Sequence, residues 1–181
     1  MSRLIIIRGN SGSGKSTLAK ALQRKFGRNT MIIPQDTVRR EMLWVKDGAG
    51  NPSIPLMAEL LRYGNAHSEI VILEGILVAE AYEPLFRTAI EIFGMENIFA
   101  FYYDIPFAET LARHETKSVR FNFGEADMRR WWKEKDFIGF IPETVFKEDV
   151  SLEKAVDTVC RFTACPRKPK GSFRPCLNCE R

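Results

Sequence analysis

Residue type and spacing first suggest chemistry in the stretch Gly9-Asn10-Ser11-Gly12-Ser13-Gly14-Lys15-Ser16-Thr17. It fits the pattern G-x-x-x-x-G-K-S, a loop that wraps a polyphosphate so closely that consecutive backbone N–H groups point inward. A Cβ would block some of the conformations this wrapping needs, hence the recurring glycines. Lys15 is placed to neutralise the β and γ phosphates, and Ser16 to offer a hydroxyl to Mg²⁺. A helix starting here directs its positive dipole end at the same anion. The plain alternative is a Gly/Ser turn that happens to hold a lysine. Against it stands the loop's position between the apolar run Leu4-Ile5-Ile6-Ile7 and an amphipathic segment, where a nucleoside triphosphate binder needs it.

Two acids close later apolar runs. Asp36 follows Thr30-Met31-Ile32-Ile33, and Glu74 follows Ile70-Val71-Ile72-Leu73. A carboxylate at a strand end can simply cap the next helix. With Arg39 and Arg40 one helical turn on, Asp36 instead resembles an acceptor site: a carboxylate takes the proton of a substrate hydroxyl, and an arginine holds a nearby group of that substrate. The alternative for Arg39 and Arg40 is a solvated helix face. Glu74 is a candidate to hold Mg²⁺ with Ser16, directly or through water, or to face the acceptor; hydrogen bonding to turn amides is its plain reading. The cation-rich segment Arg113 to Arg120 contains Arg113 and Lys117, four apart and so on one helix face, where a closing lid can supply charge to a transferring phosphoryl group. Trp131 and Trp132 read as partly core, and His114 as a surface residue.

These residues need elements to position them. Apolar periodicity predicts strands at 3–8, 30–33, 70–73, 98–103 and 144–146. Helices are expected at 15–26, 37–46, 54–62, 79–93, from Pro106 towards Lys117, at 124–135, and from a Ser151 cap to about 162. Asp47 to Pro52 is dense in turn residues and reads as a break. Continuous apolar strands alternating with helices imply a parallel sheet covered on both faces, with ligands beyond the carboxyl ends of its strands.

Composition narrows the classes. The 181 residues suit one domain, 45% of them are hydrophobic, and no apolar run reaches the length of a membrane span. With no signal pattern at the N-terminus, a cytoplasmic location without membrane contact is expected. The net charge of +4 is carried by the segment 163–181, which leaves residues 1–162 neutral. That tail also holds Cys165, Cys176 and Cys179, with Cys160 just before it. Their irregular spacing and the absence of a nearby histidine favour reduced thiols in a flexible, basic tail over a zinc site.

Residues 1–162 resemble the group of small kinases that contains zeta-toxin-like kinases, chloramphenicol phosphotransferase, the kinase domain of phage polynucleotide kinase and uridine-kinase-like proteins. The resemblance is carried by Gly9 to Thr17, by Gln35-Asp36-Thr37-Val38-Arg39, by Val71-Ile72-Leu73-Glu74-Gly75 and by Glu109 to Lys117. It implies a three-layer α/β fold with a five-stranded parallel sheet in the order 2-3-1-4-5. It also implies ATP and Mg²⁺ as cofactors, Asp36 as the general base, Arg39 on the acceptor, and Arg113 and Lys117 on the triphosphate. Relatives often carry arginine at the second of these positions, and a lysine lacks the bidentate fork. The function so implied is transfer of a γ-phosphoryl group to a hydroxyl of a small molecule: a nucleoside, an antibiotic or a nucleotide-sugar-like acceptor. A polynucleotide 5′-hydroxyl kinase would need a basic track, which the neutral body does not offer. A non-catalytic nucleotide switch is the alternative from another class; the Asn-Lys-x-Asp segment common in guanine recognition is absent.

Overall fold

The computed structural model describes residues 2–115 and 124–164. Lys117, the segment around it and the cysteines of the tail lie outside these described residues. Five parallel strands, β1 (Arg3–Gly9), β2 (Thr30–Pro34), β3 (Ile70–Gly75), β4 (Ile98–Tyr103) and β5 (Glu143–Phe146), form one sheet in the order β2-β3-β1-β4-β5. Among the described residues six α-helices connect and flank them: α1 (Lys15–Phe26), α2 (Ser53–His67), α3 (Glu83–Phe93), α4 (Phe107–Glu115), α5 (Glu125–Trp131) and α6 (Leu152–Ala164).

The central strand shows why the sequence gives a covered sheet. Side chains alternate between faces, yet Leu4, Ile5, Ile6 and Ile7 are all fully buried. Leu4 and Ile6 pack with Val71, Leu73, Met57, Leu61, Phe86 and Ala89, beneath α2 and α3. Ile5 and Ile7 pack with Leu18, Leu22, Phe101, Ala155 and Val159, beneath α1 and α6. The register sets Ile7 beside Glu74 and Phe101, and Pro34 beside Glu74. The phosphate loop, Asp36 and Glu74 therefore leave the sheet at one edge.

Arg8 continues the Leu4/Ile6 face as a fully buried cation. Its guanidinium pairs with Asp136 at 2.7 Å and Glu143 at 2.9 Å. It donates further to the Leu77 carbonyl through Nε and Nη2 (2.9 and 2.8 Å) and to the Asp136 carbonyl at 2.9 Å. The rings of Phe86 and Tyr102 lie 5.4 and 5.6 Å from its guanidinium carbon. A buried charge demands this degree of satisfaction, and here it fastens residues 136–143 to the central strand.

Several expected boundaries move for physical reasons. The helix expected over 37–46 is a short π-helical turn, Thr37–Met42. Trp44 takes a left-handed conformation (φ 53°), and the Val45 N–H returns to the Arg39 carbonyl at 2.9 Å, which closes the turn. Helix α3 begins at Glu83 rather than at 79, with Pro84 in its first turn. Helix α5 stops at Trp131 rather than near 135, because the Lys133 backbone is bound by Asn10 instead of by the helix. Helix α2 continues past Arg62 to His67. Thr163, assigned to the tail from composition, is buried and hydrogen-bonds back to Val159 at 2.9 Å, so the folded unit reaches slightly further. The expected Ser151 cap forms, its hydroxyl accepting the Lys154 N–H at 3.2 Å.

Candidate active site

The phosphate loop connects β1 to α1 and ends on Gly14, which caps the helix in a left-handed conformation (φ 106°). Gly12 has φ 80°, and a Cβ there would stand 2.6 Å from the Thr110 carbonyl oxygen, so this position requires glycine. Lys15 is buried at the first helical position, where its Nζ donates to the Asn10 carbonyl at 2.7 Å and to Ser13 Oγ at 3.3 Å. Ser11 lies half-buried, and Thr17 faces outward on α1. Asn10 contributes more than loop geometry: its Nδ2 donates to the Lys133 carbonyl at 2.6 Å and its Oδ1 accepts the Lys133 N–H at 3.0 Å.

Glu74 meets this loop directly. Ser16 Oγ lies 3.0 and 3.1 Å from its two carboxylate oxygens. Burial raises the Glu74 pKa above the usual carboxylate range, with Lys15 and the Ser16 hydroxyl pulling the other way. Its contact with a side-chain hydroxyl differs from the turn-amide bonding considered for it.

On the neighbouring strand end Asp36 stands at the start of the π-helical turn but makes no capping bond with its side chain. Its carboxylate is 66% exposed; Oδ1 accepts a hydrogen bond from Arg39 Nη2 at 2.8 Å and lies in ion-pair range of Arg40 Nε at 3.2 Å. Arg39 is buried rather than on a solvated face. Its Nε also approaches Asp47 Oδ2 at 3.8 Å. The Arg40 guanidinium lies 5.7 Å from the ring of Trp131, which joins the turn after β2 to α5. Trp131 and Trp132 are half-buried, and Trp132 meets Phe107 edge-on at 5.1 Å. Arg113 reaches the loop from α4: Nη1 to the Ser13 carbonyl at 3.4 Å, Nη2 to the Glu148 carbonyl at 3.3 Å, and Nε to Glu109 at 2.7 Å.

Asp47 had read only as a turn residue. Its Oδ1 accepts the Tyr82 hydroxyl at 2.7 Å and the Gly48 N–H at 2.9 Å, and its Oδ2 accepts Gln35 Nε2 at 3.2 Å. Gln35 Nε2 also donates to Tyr82 at 2.6 Å, while its Oε1 accepts the Leu77 N–H at 3.0 Å. Gly75 admits this side chain, since a Cβ there would lie 2.3 Å from Gln35 Oε1. Burial, reinforced by Asp47, pushes the Tyr82 hydroxyl up to about 12, so it stays a donor. The sequence signal for this network was faint: a glutamine before the strand-end acid and an aspartate opening a turn.

No protein-family model matches the chain, and no curated protein matches it in sequence. Solved structures do. A gluconokinase from Sinorhizobium meliloti is 16% identical with a TM-score of 0.67, covering 90% of this chain and 91% of that one. The tunicamycin resistance protein of Deinococcus radiodurans is 15% identical with a TM-score of 0.62, covering 88% and 94%. The APS kinase of Mycobacterium tuberculosis, solved with AMPPNP and APS, is 18% identical with a TM-score of 0.59, covering 89% and 96%. Among the described residues no helix is long and apolar enough to cross a membrane. The sheet order, the helices on both faces and these likenesses establish the three-layer α/β fold of the P-loop kinases.

Proposed function

We propose that the chain is a kinase that transfers the γ-phosphoryl group of ATP, with Mg²⁺, to a hydroxyl group of a small molecule. One juxtaposition carries the reading: Glu74 touches Ser16 of the phosphate loop, and its strand neighbour Pro34 leads within two residues to the exposed carboxylate of Asp36. On that basis we read the loop as a holder of triphosphate and Asp36 as a carboxylate open to an acceptor. The kinases among the structural neighbours, and the resemblance to zeta-toxin-like and related kinases, support it.

In this reading the loop amides from Gly9 to Thr17 cradle the phosphates, and Lys15 exchanges its Asn10 and Ser13 partners for phosphate oxygens. Ser16 and Glu74 are hard oxygen donors of the kind Mg²⁺ takes. The ion's contribution would be to neutralise charge on the β and γ phosphates. Asp36 accepts the proton of the attacking hydroxyl, Arg39 and Arg40 orient the acceptor, and Arg113, with Lys117, bears on the triphosphate. The test is Asp36→Asn, assayed by nucleotide titration and by transfer from ATP to acceptors found in a thermal-shift screen with AMPPNP and Mg²⁺. Nucleotide affinity is expected to hold within about threefold while transfer falls by roughly 10²–10⁴; undiminished transfer would sink the assignment.

A further inference from the structure

We infer that the acceptor is an electrically neutral, polyhydroxylated ring, either a free sugar or the ribose of a nucleoside, and not a carboxylated or phosphorylated metabolite. The inference rests on the kinase reading and concerns the side chains gathered around Asp36 and Asp47 after β2. Two guanidinium groups stand there with their charges already matched. Arg39 is held by Asp36 at 2.8 Å and faces Asp47 at 3.8 Å, and Arg40 lies 3.2 Å from Asp36. Two cations against two carboxylates leave no net charge to attract an anion, and an anion entering beside them meets like charges across a short distance. A hydroxyl can donate and accept at once, so it bridges a carboxylate and a guanidinium without disturbing either.

Asp47 is built for that role. Tyr82, Gln35 and the Gly48 amide hold it from behind, while 36% of its side chain remains exposed. An acid fixed by buried donors is preorganised to receive a hydroxyl. A second observation concerns Trp44. Its residue is 88% exposed, and its backbone sits at φ 53°, a conformation costly for a bulky residue. The next residue is tied to Arg39 in both directions: Val45 N–H to the Arg39 carbonyl at 2.9 Å, and Arg39 Nη1 to the Val45 carbonyl at 3.4 Å. In the proposal this solvent-facing indole, carried on a backbone that Val45 ties to Arg39, supplies an apolar face for the C–H groups of a sugar ring or for a base.

The experiment is calorimetric binding to the full chain with Mg²⁺ and AMPPNP, using two matched series. One holds neutral hexoses, polyols and nucleosides; the other holds hexuronates, aldonates and nucleoside 3′-monophosphates. At least one neutral ligand is expected to bind about tenfold tighter than its anionic counterpart, and the hexose and nucleoside arms tell the two sources apart. Trp44→Ala, at an exposed position, should weaken that ligand roughly fivefold with AMPPNP affinity unchanged. Asp47→Asn should narrow the gap between the series by about tenfold, where a merely structural role would weaken both alike. Tighter binding by the anionic series, no binding by either, or indifference to Trp44→Ala would each overturn the inference. A neutral ligand that binds but is never phosphorylated when ATP replaces AMPPNP would instead refute the kinase reading, leaving the neutral ring as a ligand of this pocket and not as an acceptor.

Discussion

Replacing Arg8 by methionine would leave two carboxylates facing the sheet interior with nothing between them. The residue is fully buried, Glu143 has a side chain only 2% exposed, and both acids lie within 2.9 Å of the guanidinium. Methionine keeps most of the volume, so little of the effect comes from a cavity. Each acid retains a backbone donor, Ala79 N–H on Asp136 at 2.9 Å and Ile138 N–H on Glu143 at 2.7 Å, which limits the penalty without removing it. Breaking a buried pair of this kind costs about 3–5 kcal/mol, and for a domain of this length that lowers the melting temperature by roughly 6–20 °C. Urea unfolding of the wild type, Arg8→Met, Glu143→Gln and the double variant gives the measurement. The double variant is expected to be more stable than the sum of the single losses by about 1 kcal/mol or more, because it no longer strands the Glu143 charge. A loss below about 1 kcal/mol for Arg8→Met, or strict additivity, would refute the argument.

Three further outcomes are expected. Gly12→Ala forces a side chain into φ 80° and against the Thr110 carbonyl, so nucleotide affinity should fall by at least about tenfold in a fluorescent-nucleotide titration; unchanged affinity would contradict the loop geometry. Burial pushes the hydroxyls of Tyr82 and Tyr103 up to about 12, so between about pH 10 and 12 the folded chain holds protons that the unfolded chain has lost. Their stabilising contribution is full below about pH 10 and declines through that window by about 2–3 kcal/mol per tyrosine, which urea titrations across alkaline pH will read; a flat profile refutes it. Glu74→Gln removes a carboxylate whose charged form is disfavoured by burial. Stability without nucleotide should hold or rise by about 1 kcal/mol, while Mg²⁺-dependent nucleotide affinity drops about tenfold; a large loss of stability would count against that assignment.

How far the sequence alone could reach depended on whether a feature was contiguous. The phosphate loop is nine adjacent residues, and its glycines and lysine announce their geometry. The strand-end positions of Asp36 and Glu74 were legible because uninterrupted apolar runs mark strand ends, and a parallel sheet gathers those ends at one edge. Asp47 was not, since its relation to Arg39 exists only once Trp44 turns left-handed and the chain folds back. The segment from Asp47 to Pro52 advertised turns, and turn residues hide a carboxylate that Tyr82 and Gln35 hold. Arg8 was equally opaque: nothing local distinguishes a cation that ends an apolar strand in solvent from one whose partners arrive 128 and 135 residues later. Helix ends were misjudged where side chains took over the backbone, as Asn10 does with Lys133.

The resting place of Lys15 bears on product release. Its ammonium rests on the Asn10 carbonyl and Ser13, so in the proposed kinase nucleotide capture would be an exchange of partners. Its contribution to affinity is the difference between a charge-assisted bond to phosphate and one to a carbonyl, smaller than the bond itself. If the chain transfers a phosphoryl group as proposed, the same two oxygens would receive the lysine again once the terminal group has left. A diphosphate product would then depart without stranding a buried charge.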